Sequence, residues 1–134
     1  EELGLGDKVL FLGKREDMPS LFSALDIFLF PSFYEGFPNA VLEAQACGLP
    51  CLISDKITNE VVINKNITKR LSIDISGYKE WLECVAFFVN ERLSDHVGSV
   101  NERSIAWKKI QEAGFSYKEE MVRLEALYES VVNK

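Results

Sequence analysis

The chain has 134 residues, 47% apolar and 27% charged, with a formal charge of -6 and a pI near 4.9. One domain with its own core fits that size, and the negative balance, with no basic patch in view, excludes a nucleic-acid partner. No apolar run approaches the ~20 residues of a membrane-spanning helix.

The chain opens Glu1-Glu2-Leu3-Gly4, without an initiator Met, a basic region or an apolar leader, and reads as a piece of a longer protein. Lys8 to Gly13 is a short apolar run closed by glycine, the pattern of a buried strand. Asp17 then offers an N-cap, with Pro19 just inside, for a helix through Leu21 and Leu25. Asp26 to Pro31 is a second buried strand, stopped by proline. Asn39 or a neighbour caps a helix running to Cys47, which Gly48 ends, with Pro50 just beyond. Cys51 to Asp55 is a third strand, and weaker strands are expected over Glu60–Ile63 and Lys69–Ile73.

The second half is helical. Ser76 caps a helix with apolar positions at Trp81, Leu82, Val85, Phe88 and Val89, following the 3.6-residue period. A middle helix spans about Val97 to Glu112 and ends at Gly114. The last starts at Ser116, with Glu119 completing a capping box, and buries Met121, Leu124, Leu127, Tyr128 and Val131. Strands that are apolar throughout are covered on both faces, as in a parallel sheet. The βαβαβ order therefore predicts a doubly wound, Rossmann-like α/β layout followed by C-terminal helices.

The three cysteines, Cys47, Cys51 and Cys84, are an odd set, and Cys47 and Cys51 sit among small apolar residues. The one histidine, His96, is remote from them, so no metal is expected. His96 reads as a solvent-facing linker residue. A reducing, cytoplasmic compartment suits the free thiols.

Chemistry concentrates in the loops Gly13–Asp17, Pro31–Pro38 and Ser54–Glu60, which would leave the carboxyl ends of the strands, where open α/β sheets bind ligands. The middle loop is the sharpest. Glu35 and Glu43 are separated by seven residues, with Gly36 and Pro38 between them. Gly36 admits close backbone approach. The amides of Phe37, Asn39 and Ala40 lie near the free amino end of a helix, where unpaired donors and the helix dipole favour an anion such as a diphosphate. Glu43, about one turn in, suits the vicinal hydroxyls of a ribose, as acids do in dinucleotide folds. Glu35 suits the hydroxyls of a sugar on the other side. A ligand-free account also exists: an acid early in a helix stabilises it, and a loop glutamate can simply be solvated.

Four segments in order settle the weighting. They are Val9 to Gly13, Ala24 to Ser32, the Glu35–Glu43 pair, and Glu43-Ala44-Gln45-Ala46-Cys47-Gly48-Leu49-Pro50. Together they resemble the C-terminal, donor-binding domain of GT-B glycosyltransferases, the retaining family 4 (group 1) enzymes of polysaccharide and glycolipid synthesis. The resemblance is strong over residues 8–60 and compatible beyond. It implies that Glu35 lies near the transferred sugar and the reaction centre. Gly36, Phe37, Pro38 and Asn39 would hold sugar hydroxyls and diphosphate, and Glu43 the donor ribose. Leu12, Gly13 and Lys14 would lie near the base, with Glu60 bordering the cleft.

It further implies a UDP- or GDP-sugar donor, a glycan or lipid-linked acceptor, no metal or other cofactor, and a cytoplasmic enzyme, peripheral at the inner membrane face when full-length. An Arg and a Lys that neutralise the diphosphate, and an N-terminal Rossmann-like domain carrying the acceptor site, would lie upstream. Residues 1–134 would then be one nucleotide-sugar-binding domain of a truncated fragment, inactive alone. Two rival readings stay open: another GT-B enzyme, an epimerase or a phosphorylase, and a non-catalytic Rossmann-like interaction module.

Overall fold

The computed structural model describes residues 4–93 and 100–132. Its centre is a three-stranded parallel sheet in the order β1 (Phe28–Phe30), β2 (Cys51–Ser54), β3 (Thr68–Leu71). Phe28 pairs with Cys51, and Cys51 with Thr68. Helix α1 (Met18–Ala24) precedes β1, and α2 (Asn39–Ala46) joins β1 to β2. Then come α3 (Tyr78–Leu93), α4 (Val100–Glu112) and α5 (Tyr117–Val132).

Side chains alternate across a pleated sheet, so each strand offers residues to both faces. On one face Cys51 and Ile53 join Phe22 of α1, Val41, Leu42 and Ala44 of α2, and Ile110 of α4, with Phe28 and Phe30 packed alongside. On the other, Leu52 and Leu71 meet Phe88 of α3, with Trp81, Cys84 and Val85 around them. Layers on both faces explain why the strand β2 is buried at every position. The expected α/β architecture is thus present.

Several local expectations need correction. Val9 to Gly13 is not a strand. Val9 is extended, but the segment adjoins no described strand, and Leu10 and Phe11 are 80% and 97% exposed. An apolar run marks a strand that wants burial, yet pairing also needs a neighbouring ladder. The Glu60–Ile63 strand is instead a 3-10 turn over Asn59–Val61, started by Thr58, whose hydroxyl accepts from the Glu60 amide. Asn39 does not cap α2. Pro38 holds the cap position, with no side-chain cap bond, and Asn39 is the first helical residue. Asp17 precedes α1 but does not cap it, because its carboxylate is engaged by both arms of the Arg15 guanidinium. Ser76 lies within a 3-10 turn that leads into α3. In α3 Phe88 is buried, whereas Leu82 and Val89 are exposed. Met121 and Leu124 of α5 are exposed rather than buried.

Gly48 ends α2 as expected. It sits at φ 66, its N–H donates to Gln45 O, and the Leu49 N–H donates to Ala44 O, the paired bonds of a Schellman cap. Gly114 closes α4 identically, with Gly114 N–H to Gln111 O and Phe115 N–H to Ile110 O. Helix α4 is moored by Arg103, whose guanidinium donates to Ser23 O and Leu25 O. Residues Ser94–Ser99, including His96, lie outside the described residues.

Candidate functional site

Because the three strands are parallel, their carboxyl ends share one edge. The segments leaving that edge are 31–38, 55–58 and 72–77. Two of the three expected loops are therefore adjacent there. The third, Gly13–Asp17, does not follow a paired strand.

The middle loop carries the exposed Glu35, Gly36 and Phe37 into the buried Pro38 and the start of α2. Ser32 Oγ lies 3.2 Å from Glu35 Oε1 and 3.1 Å from the Tyr34 carbonyl, which ties the near side of the turn. Val41 N–H is taken by Pro38 O. Among the described residues, nothing accepts from the backbone N–H groups of Gly36, Phe37, Asn39 or Ala40. The first amides of a helix have no intrahelical partner and carry the positive end of its dipole, so this is an anion-favouring surface.

Glu43 is the fifth residue of α2, and the first turn holds no acid. Its charge thus sits beyond the turn where the helix dipole is strongest, which weakens the ligand-free account of this residue. Val41, Leu42, Ala44 and Gln45 face the core, while Asn39 and Glu43 are exposed on one face. Helical Cα–Cβ bonds tilt toward the amino end, so Glu43, four residues beyond Asn39, is directed back toward the loop. Gly36 has neither a positive φ nor a neighbour within 4 Å of where a Cβ would lie. The fold itself does not demand glycine there.

The remaining expected residues are less gathered. Gly13 sits at φ 64, a conformation favouring glycine, and Lys14 beside it is exposed. No hydrogen bond, ion pair or ring contact among the described residues joins either one to the stretch from Glu35 to Glu43. Arg15 holds the Asp17 carboxyl below its ordinary range through their hydrogen bonds, so its charge is already matched. Lys56 Nζ stands 3.7 Å from Asp55 and 3.8 Å from Asp74, bridging the loops after β2 and β3. Glu60 is exposed in the turn beyond β2.

Two contacts escape sequence reasoning. Gln45 is fully buried and satisfied: Nε2 donates to Val61 O (2.8 Å) and Val41 O (3.2 Å), while Oε1 accepts from Ile63 N (3.1 Å) and Asn64 N (2.9 Å). It fastens the segment after Glu60 to α2. A polar residue on the helix's apolar face was the available signal. The second is an aromatic stack between Phe37 and Phe115, 5.5 Å between centroids and 20° between planes. A further groove of about 400 Å³ lies between β1 and α3, lined by Leu29, Pro31, Ile73, Tyr78, Trp81 and Leu82. Leu29 points away from the α2 face, so this mostly apolar groove is separate from the two glutamates.

Comparison with known proteins decides the family. The sequence pattern described as Glycosyl transferases group 1 matches residues 1–102. The chain belongs to the group 1 glycosyltransferases. It is 31% identical over 137 residues to the UDP-Gal:alpha-D-GlcNAc-diphosphoundecaprenol alpha-1,3-galactosyltransferase of Escherichia coli, covering 99% of this chain and 33% of that protein. Against the lipopolysaccharide core biosynthesis mannosyltransferase LpsB of Rhizobium meliloti (strain 1021) the identity is 30% over 130 residues, 96% of this chain and 36% of the relative. This group 1 chain thus spans about a third of these relatives. No solved structure matches it. Among the described residues no helix is long and apolar enough to cross a membrane.

Proposed function

We propose that this chain is the donor-binding domain of a retaining GT-B glycosyltransferase of family 4, which moves a sugar from a UDP- or GDP-sugar to a polysaccharide or lipid-linked acceptor. The observation that carries the reading is the loop from Glu35 into α2. It presents untethered amides between two exposed carboxylates, at the sheet edge where α/β folds bind ligands. The family match supports it, as do relatives named for galactosyl and mannosyl transfer.

In this reading the amides of Gly36, Phe37, Asn39 and Ala40 hold the diphosphate and nearby sugar hydroxyls, with Pro38 shaping the turn. Glu43 accepts from the ribose hydroxyls. Glu35 stands by the anomeric carbon and stabilises an oxocarbenium-like centre as the nucleoside diphosphate departs. Gly13 and Lys14 approach the base, a role that requires the exposed 9–14 segment to fold against the site. Rate enhancement comes from positioning and from charge stabilisation of the leaving diphosphate, without a metal. A preceding Rossmann-like domain supplies the acceptor site and basic residues for the diphosphate, and the enzyme works on the cytoplasmic side.

Calorimetric titration of the protein expressed from its full reading frame with UDP, GDP and ADP tests this. One nucleoside diphosphate binds, and Glu43→Ala weakens it by about 1–3 kcal/mol by leaving ribose hydroxyls unpaired. Unchanged affinity in that variant rejects the ribose role.

A further inference from the structure

We propose that Phe115, outside the motif and at the far end of α4, is a positioning residue that holds the donor loop in its binding shape; this rests on the donor-site reading above. Among the described residues, the near side of the loop is tied by Ser32, at Tyr34 and Glu35. On the other side, the tie across its exposed tip is the ring of Phe37, stacked on Phe115. Phe37 lies between the Glu35–Gly36 pair and the first amides of α2, so anchoring its ring limits how far the adjoining backbone donors can move.

Phe115 can act as a fixed stop because its own backbone is locked. Gly114 takes φ 90, which favours glycine, and the Schellman bonds from Gly114 and Phe115 to Gln111 O and Ile110 O fix the exit from α4. Helix α4 is in turn anchored. Ile110 is buried in the core with α2, and Ala106 is also buried. Arg103 donates to the carbonyls of Ser23 and Leu25 and packs where a Cβ on Gly48 would fall. One rigid path therefore runs from the core through α4 to Phe115 and out to the loop. The two rings are each 38% exposed, so the pair sits at the surface and contributes little to the core.

The test uses the full-reading-frame protein, UDP titration, and NMR order parameters of the Gly36, Phe37, Asn39 and Ala40 amides. Phe115→Ala raises the UDP dissociation constant about three- to tenfold, the range expected for losing one aromatic pair. It also lowers the order parameters of those four amides while the β2 amides keep theirs. Phe115→Tyr, which keeps the ring, restores both. Should Phe115→Ala fold poorly, Phe115→Leu keeps apolar bulk, removes the stacking face, and is read in the same way.

Wild-type affinity in the ring-less variant, with or without lower loop order parameters, overturns the proposal. So does a loss of order spread evenly over the sheet, because that is a stability effect. Glu43→Ala alongside separates the two claims. If it loses UDP while Phe115→Ala does not, the clamp is wrong and the donor site stands. If neither variant loses UDP, the donor site itself is wrong.

Discussion

Replacing Gln45 by leucine isolates the polar tie inside α2. Four hydrogen bonds disappear, but their losses are unequal. The Val41 carbonyl is only lightly affected, since it lies within the helical ladder. Val61 O and Ile63 N–H keep one long mutual bond of 3.2 Å. The Asn64 N–H, in a buried residue, loses its only described acceptor. One fully orphaned donor and two weakened groups cost about 2–4 kcal/mol in all, with the added apolar side chain offsetting a little. With a urea slope of roughly 1.5–2 kcal/mol/M for a chain of this size, the midpoint falls by about 1–2.7 M. Equilibrium urea unfolding followed by circular dichroism measures this. A midpoint shift below about 0.3 M, near the noise expected of surface substitutions, refutes the claim that Gln45 fastens the 59–64 segment. Gln45→Glu adds a sign test. Its buried carboxyl would face the Val61 and Val41 carbonyls, which raises the folded-state pKa. That variant is therefore most stable below the ordinary glutamate range and loses stability as pH rises from there through the raised folded-state pKa.

Gly36→Ala leaves the unfolding free energy within about 0.5 kcal/mol of wild type, because the added methyl meets nothing and φ is not positive. It weakens nucleoside diphosphate binding, and retained affinity in calorimetry speaks against close backbone approach at that point. Gly48→Ala destabilises by about 2 kcal/mol or more, since φ 66 is strained for alanine and the new Cβ lies 2.9 Å from the Arg103 Cα. An unchanged melting temperature would contradict that geometry. Burial pushes the Cys51 thiol up to about 12. Cys51 therefore resists a thiol reagent at pH 8 until the protein unfolds, while the half-buried Cys47 and Cys84 react earlier. The neutral thiol's contribution is complete below the ordinary thiol pKa, near 9, and is lost as pH climbs toward 12. A Cys51→Ala variant should show a smaller stability loss over that alkaline window.

Much of the fold was legible because its signals are local. The apolar runs that became β1 and β2, the proline after β1, and the glycines closing α2 and α4 all act within a few residues. The weak reading of a strand near Lys69–Ile73 also held, as β3 over Thr68–Leu71. What failed depended on distant partners. The Val9–Gly13 run carries a strand's composition, yet no described strand lies beside it. Glu60–Ile63 has strand-like residues, but Thr58 bonding the Glu60 amide and Gln45 bonding the Ile63 and Asn64 amides hold it as a turn. The Glu35, Gly36 and Glu43 pattern was visible because it is contiguous. The stack of Phe115 on Phe37 spans 78 positions and leaves no periodic trace. Trp81 read as core is half right: its ring flanks Leu52, while its Nε1 donates to Ser72 O and pins the loop after β3.

The most direct measurement is an amide-resolved NMR titration of the protein with UDP and GDP. On this account one nucleotide moves the backbone resonances of Gly36, Phe37, Asn39 and Ala40 together, saturably, with Glu43 among the perturbed residues. Saturable binding that leaves those four amides still, and instead moves Tyr78, Trp81 and Leu82 along the groove beside α3, contradicts it.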